Sequence, residues 1–296
     1  QASTFIFNNE TFRDFAVSRM DSINAFGLEF NFKPSIFLWS SVSITSKIVN
    51  PTYDYLYTIS DESNSEFKTT ETALLFYYAF GRKMIQLGDD FVFTRPQYPL
   101  FKFKITQAIP AAFNDKFKYS KFEFDLFNSF NSPLGTTSAS VNRGLLISEA
   151  PYPFLFNGKG FNSDNYATFF YLYSNFQTMG LTEFISDRYV NVFLQQNFGN
   201  ILNIPKINFF KPSFSLTYSG GFGNLKNKSS HSGISFKTME KGYHESGIIL
   251  DNLIRLKYLR TLYIGFGIGA FYRYGYYEFS TPSDNIAIKA SIKIGF

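Results

Sequence analysis

The sequence predicts an all-β fold, an antiparallel transmembrane β-barrel of about fourteen strands within a range of about twelve to sixteen. Three observations carry that expectation. The chain ends on a long period-two apolar pattern, 20% of its 296 residues are aromatic, and its mean hydropathy is only −0.10. No run approaches the roughly 18 uninterrupted apolar residues that a spanning helix needs. A barrel reconciles high aromatic content with near-zero hydropathy, because only alternate residues of each strand must be apolar.

The terminal segment is the clearest. Ile286, Ile288, Ala290, Ile292, Ile294 and Phe296 fall on one face, opposite Asn285, Ala287, Lys289, Ser291, Lys293 and Gly295. Tilted strands of roughly 9–11 residues cross a bilayer, and this alternation is at least that long. A chain ending on an aromatic residue resembles the insertion signal of bacterial outer-membrane barrels, which makes Phe296 the candidate signal residue. Upstream, the same period places Leu262, Ile264, Phe266 and Ile268 opposite Gly265, Gly267 and Gly269. It also places Ile248, Leu250, Ile254 and Leu256 opposite Asp251, Arg255 and Lys257. Stretches 213–220, 121–126 and 26–33 alternate likewise. Stretches 165–177 and 184–198 carry aromatics on both faces, and 82–98 is interrupted by Gly88-Asp89-Asp90, Pro96 and Pro99. The first residues are expected to supply one further strand.

A periplasmic C-terminus fixes the direction of every strand and implies the outer membrane of a Gram-negative bacterium. Long surface loops then fall at 50–65, 223–242 and 276–283, a short surface connection near 178–183, and periplasmic turns at 199–206 and 257–260. The chain reads as a single domain, 1–296.

Composition narrows the chemistry. Zero cysteines and two histidines leave no thiol nucleophile and no zinc site, and no cofactor or metal is expected. A formal charge of +5 without clustered Lys and Arg argues against nucleic acid. Expected partners are outer-membrane lipids and other outer-membrane or periplasmic proteins.

The run Glu183-Phe184-Ile185-Ser186-Asp187-Arg188-Tyr189-Val190, then Phe198-Gly199-Asn200, Ile204-Pro205-Lys206, and Tyr243-His244-Glu245-Ser246-Gly247 before Asp251-Asn252 forms an ordered set with Pro151-Tyr152-Pro153-Phe154-Leu155. Over roughly residues 67 to 296 this order resembles the C-terminal barrel of a Bacteroidota outer-membrane family of unknown function (domain of unknown function 5686). That barrel usually follows a carboxypeptidase-regulatory-like domain. The resemblance implies an outer-membrane location and no established activity.

Three groups of residues are candidates for a site. His244 and Ser246 share a strand face with Leu250 and Ile254, as do the His-x-Ser pairs of outer-membrane lipid hydrolases. No third member is evident beyond Asn252, so no catalytic residue is assigned. Asp187, Arg188, Glu245, Asp251 and Arg255 form a charge set that either selects a solute in the lumen or pairs across strands to stabilise a filled barrel. Arg188 falls on the opposite face from Asp187 by parity. Gly265, Gly267 and Gly269 form an inward wall, either to receive a loop, plug or strand or to let the sheet bend. The expected role is a non-enzymatic subunit of an envelope complex serving protein export, barrel assembly or nutrient uptake. A small-solute pore is the alternative, and a lipid-modifying hydrolase a further one.

Overall fold

The computed structural model describes residues 19–295 except 60–61, 82, 88–89, 95–98, 111–116, 164–165, 201–208 and 258–262. Eleven strands form one continuous antiparallel wall. In chain order they are β1 (Asp21–Phe32), β2 (Leu38–Pro51), β3 (Phe67–Ala79), β4 (Leu100–Ala108), β5 (Ser120–Ser132), β6 (Gly135–Ile147), β7 (Arg188–Asn200), β8 (Ser213–Asn224), β9 (Tyr243–Lys257), β10 (Tyr263–Tyr274) and β11 (Ile286–Gly295). Each pairs with its predecessor, so the wall is a simple meander. The all-β antiparallel class read from alternation is therefore the observed one. The described residues, however, place eleven strands in the wall rather than the expected fourteen, because 83–94 forms its own hairpin and 165–177 lies in a connection. Phe296 and the strand expected from the first residues lie outside the described residues, as do most of the turns expected at 199–206 and 257–260.

The alternation decides which face is which. Phe26, Leu28 and Phe30 on β1 stand beside Ile44 and Val42 on β2 in register. The same outward side carries Ile248, Ile254, Phe266, Ile268, Ile288 and Ile292, all exposed. An apolar face this extensive is a liability in water and an asset in hydrocarbon. The inward face is polar and complementary: Lys102 lies opposite Asp125 and Lys104 opposite Glu123 across β4 and β5. Such opposed cross-strand pairs favour this register.

Two expected strands take other forms. Residues 83–87 and 90–94 make a separate hairpin outside the wall. Residues 165–177 do not cross the wall at all. They lie in the connection from β6 to β7, which runs from 148 to 187 and contains only short strands and 3-10 turns. The short connection expected near 178–183 is thus the end of the longest connection in the chain. The aromatics of this stretch follow no strand face: Tyr173 and Phe176 are buried, whereas Phe169 and Phe170 are exposed.

Connections alternate between two rims. The rim holding Gly295 has tight joints such as Pro133-Leu134, where Gly135 has φ 117 and a Cβ would sit 2.0 Å from the Asn197 carbonyl oxygen. The distal rim carries 52–66, 109–119, 148–187, 225–242 and 275–285. Four of these interlock. Residues 56–59 pair with 62–64 and with His231-Ser232, over a core of Tyr55, Tyr57, Phe67, Phe117, Tyr119, Tyr152, Phe154 and Phe156.

His231 sits inside this cap, its Nδ1 2.8 Å from the Tyr55 hydroxyl and its ring between Tyr55, Tyr57 and Phe236. Burial pushes its pKa down from 6.5 to about 4. An opened cap therefore binds a proton that the closed cap does not, between about pH 6.5 and 4. Cap stability is unaffected above that window, falls as pH drops through it, and levels off below. Hydrogen exchange of amides in 55–59 and 231–236 should accelerate from pH 7 to pH 5, after correction for intrinsic exchange. His231→Phe should abolish that pH dependence.

Candidate functional site

The inward faces of β7 to β11 receive the 148–187 segment, and three charged residues on three successive strands hold it. On β9, the Glu245 carboxylate accepts the Gln177 backbone N–H at 2.8 Å, the Thr178 N–H at 2.9 Å and the Thr178 hydroxyl at 2.6 Å. The Tyr243 hydroxyl donates in turn to Thr178 Oγ1 at 2.7 Å. A carboxylate with three donors at these distances satisfies a charge that burial would otherwise make very costly.

On β10, Arg273 is fully buried and makes a two-pronged pair with Glu183, Nη2 to Oε1 at 2.8 Å and Nη1 to Oε2 at 3.1 Å. Its guanidinium lies 4.3 Å from the Phe279 ring centroid and 4.8 Å from that of Tyr243. Glu183 also accepts from Gly180 N–H and from Lys237 Nζ. Burial alone would raise the Glu183 pKa, but Arg273, Gly180 and Lys237 outweigh it and hold the carboxyl below its usual range. On β11, Lys289 Nζ donates to the Phe161 carbonyl at 3.0 Å, the Thr168 carbonyl at 2.7 Å and Asn162 Oδ1 at 2.9 Å.

Between these anchors the segment is apolar. Phe176, Met179 and Phe184 pack with Phe193 of β7, Met239 and Tyr243. Phe176 reaches the wall because Gly221 has no side chain; a Cβ there would stand 2.8 Å from the ring. Tyr171 stacks on Phe271 at 5.4 Å and 9°, and its backbone N–H donates to the Ala290 carbonyl at 2.7 Å. Gln177 ties the bend by donating to the Leu172 and Asn175 carbonyls.

The expected site residues distribute as follows. Glu245 faces inward, opposite Arg273 in register, yet neither pairs with the other; both turn to 148–187. Of the set, Glu245 alone docks the segment, a role that neither sequence alternative described. Asp251 follows the cross-strand alternative, taking the Ser291 hydroxyl and lying 3.7 Å from Lys293. Arg255 covers the Tyr263 ring at 3.5 Å. Asp187 lies at the distal rim, where its carboxylate accepts the Lys226 N–H. Arg188 sits outward, its side chain 47% exposed and 3.6 Å from Asp187. The five do not form one site.

The glycine wall answers a feature of β9 that alternation did not reveal. Register shifts between Leu250 and Ile254, with Asn252 at φ 58. This bulge folds over β10: a Cβ on Gly267 would lie 2.3 Å from the Leu250 carbonyl oxygen, and one on Gly265 would lie 2.0 Å from Asn252 Oδ1. Gly269 gives way to the Phe271 ring at 2.8 Å. The wall therefore receives a neighbouring bulge and side chains of the sheet itself.

His244 and Ser246 are on the outward face. His244 Nδ1 is 3.0 Å from the Tyr218 hydroxyl, and Ser246 Oγ is 3.0 Å from the Tyr274 hydroxyl. Each is thus engaged by a tyrosine, and Asn252 belongs to the bulge lower on the strand. Among the described residues, no group of three or more His, Asp or Glu could hold a metal ion, and no helix is long and apolar enough to cross a membrane.

No protein-family model and no curated protein sequence matches the chain. Among solved structures, it is similar to the crystal structure of BamA from Haemophilus ducreyi lacking POTRA domains 1–3, with a TM-score of 0.53 and 9% identity. The match covers 93% of this chain and 55% of that one, so the chain spans about half the length of the structure it resembles. At this identity the likeness concerns the fold. Together with the apolar exterior and polar interior, it defines the chain as an outer-membrane β-barrel protein.

A double-mutant cycle on Glu183 and Arg273, read by unfolding in lipid or detergent, should give a coupling energy of about 2 kcal/mol or more. The exposed Lys228–Glu240 pair should give a much weaker coupling, because solvent screens it. Glu245→Gln should destabilise by about 2–4 kcal/mol, because one backbone donor loses its acceptor.

Proposed function

We propose that this chain is a non-enzymatic barrel closed by its own 148–187 segment, acting as an integral subunit of a larger envelope complex. The observation that carries the reading is the attachment of that segment to Glu245, Arg273 and Lys289, on three adjacent strands. A conduit for solutes gains nothing from three buried charged anchors holding its lumen occupied. A wall meant to stay shut, with work done at its rims by other proteins, does. The engagement of His244 and Ser246 by tyrosines supports the non-enzymatic reading.

We also place the C-terminus in the periplasm of a Gram-negative cell, so that the distal rim faces outward. The support is the interlocking of distal connections over a shared aromatic core, set against a rim with the two-residue joint Pro133-Leu134 and one long connection, 80–99. Membership in the Bacteroidota family of unknown function is part of the proposal. Its motifs include Glu183, Phe184, Tyr243 and Glu245, residues that dock the segment here.

Planar-bilayer recording separates the two main roles. The native protein should be electrically silent, and Glu245→Gln combined with Lys289→Met should produce intermittent currents as the segment loosens. Steady open-channel current from the native protein would favour the small-solute pore. Purification from native membranes in mild detergent should bring down other envelope proteins in fixed ratio; a chain that runs alone contradicts the subunit reading.

A further inference from the structure

The outward surface changes character along β7 to β10. At mid-height it is aliphatic: Leu194, Leu216, Ile248 and Ile268 are all exposed. Toward the distal rim it becomes aromatic and polar. Tyr218, His244 and Tyr274 form a row of near-parallel rings, with centroids 6.2 Å and 6.1 Å apart and angles of 26° and 17°. Phe222 meets His244 edge-on at 5.9 Å. This is the depth at which a barrel passes from hydrocarbon to headgroups.

Directly above this row the surface is cationic. Arg188 is level with Asn224 in register, two residues beyond the Val190–Phe222 pair and on the same outward side. Lys241 is exposed and precedes Gly242, where a Cβ would be 3.0 Å from His244 Nε2 and 2.7 Å from Phe222. The imidazole thus turns Nε2 to Gly242, the neighbour of Lys241 in sequence, while Nδ1 is held by Tyr218. Lys226 is exposed on the same rim, its backbone N–H on Asp187. Asp187 accepts the Lys226 N–H and lies 3.6 Å from Arg188, and Glu240 pairs with Lys228, so Lys226 and Lys241 leave these groups with an excess of positive charge. Arginine and lysine presented outward at headgroup depth, next to an imidazole nitrogen, match one chemistry: a phosphate on a lipid.

We propose that the outward surface around Arg188, His244 and Lys241 binds the phosphate headgroup of an anionic membrane lipid. The site rests on the transmembrane fold; only the choice of the outer leaflet rests on the periplasmic C-terminus proposed above. Arg188 and Lys241 supply the charge, His244 Nε2 a directed hydrogen bond, and the ring row fixes the imidazole while acyl chains lie along Leu216 and Ile248.

Native mass spectrometry of the intact chain from micelles holding equal phosphatidylglycerol and phosphatidylcholine tests this. The native protein should retain phosphatidylglycerol preferentially, and Arg188→Gln with Lys241→Gln should lower that preference by roughly tenfold. His244→Phe, which keeps the ring row, should lower it by a smaller factor. Raising salt on the native protein should erode the preference without any variant. Equal retention of both lipids by native protein, an unchanged preference in the double variant, or displacement of the lipid by inorganic phosphate where chloride of equal ionic strength leaves it bound would each overturn the lipid as the ligand. Labelling a Thr281→Cys variant in whole cells reports the leaflet separately: surface labelling supports the outer leaflet, and protection overturns that assignment while the lipid preference is judged on its own result.

Discussion

A charged side chain on the inner face of a membrane wall has no free choice of environment. It must meet water, an opposite charge or a set of hydrogen-bond donors and acceptors. On β9, β10 and β11 that requirement is met by the chain itself. Glu245 takes two backbone N–H groups and a hydroxyl, Lys289 takes two carbonyls and an amide oxygen, and Arg273 takes the carboxylate of Glu183. Each anchor binds a different stretch of 148–187, so the segment is fixed at Phe161–Thr168, Gln177-Thr178 and Glu183 independently. Removing any one partner strands a buried charge, which is strongly destabilising.

The same segment joins the lumen to the distal rim. Glu183 shares Lys237 with the 225–242 connection, and the backbones of 183–185 and Lys237 bond to each other. Residues 231–232 of that connection pair with 56–57 in the cap. An event at the distal surface therefore has a continuous bonded route to the anchors. The distal connections are thus tied to one another and to the anchors rather than standing as independent loops.

The wall was legible in the sequence because its physics is local. Period-two alternation reports one apolar and one polar face, and 286–295, 263–274 and 243–257 read almost as they fold. Parity also put Glu245, Lys289 and the three glycines inward and Arg188 outward. The inserted segment was not legible for the same reason. Phe161, Phe176, Met179 and Phe184 are buried on all sides, so they leave no alternation, and 165–177 imitated an irregular strand. The partners of Glu245 and Lys289 are mostly backbone groups, which no residue pattern can announce. The bulge at Asn252 left a trace only in the glycines opposite it, and those could equally have marked a bend. Glu183 belonged to a recognisable motif, but its bond to Arg273 spans ninety positions and two elements.

The central claim is that 148–187 is docked on the barrel wall in the membrane. The chain has no cysteine, so an engineered pair is an unambiguous reporter. Phe170 and Ala290 are bridge partners between the segment and the edge of β11 that β10 does not occupy, within the spacing a disulfide accepts. Phe170→Cys with Ala290→Cys, oxidised in intact membranes, should cross-link nearly completely and shift mobility on a non-reducing gel, while Phe170→Cys with Ile248→Cys should not. Absence of the cross-link, together with ready labelling of the residue-170 cysteine by a bulky maleimide from the surface, would contradict the account.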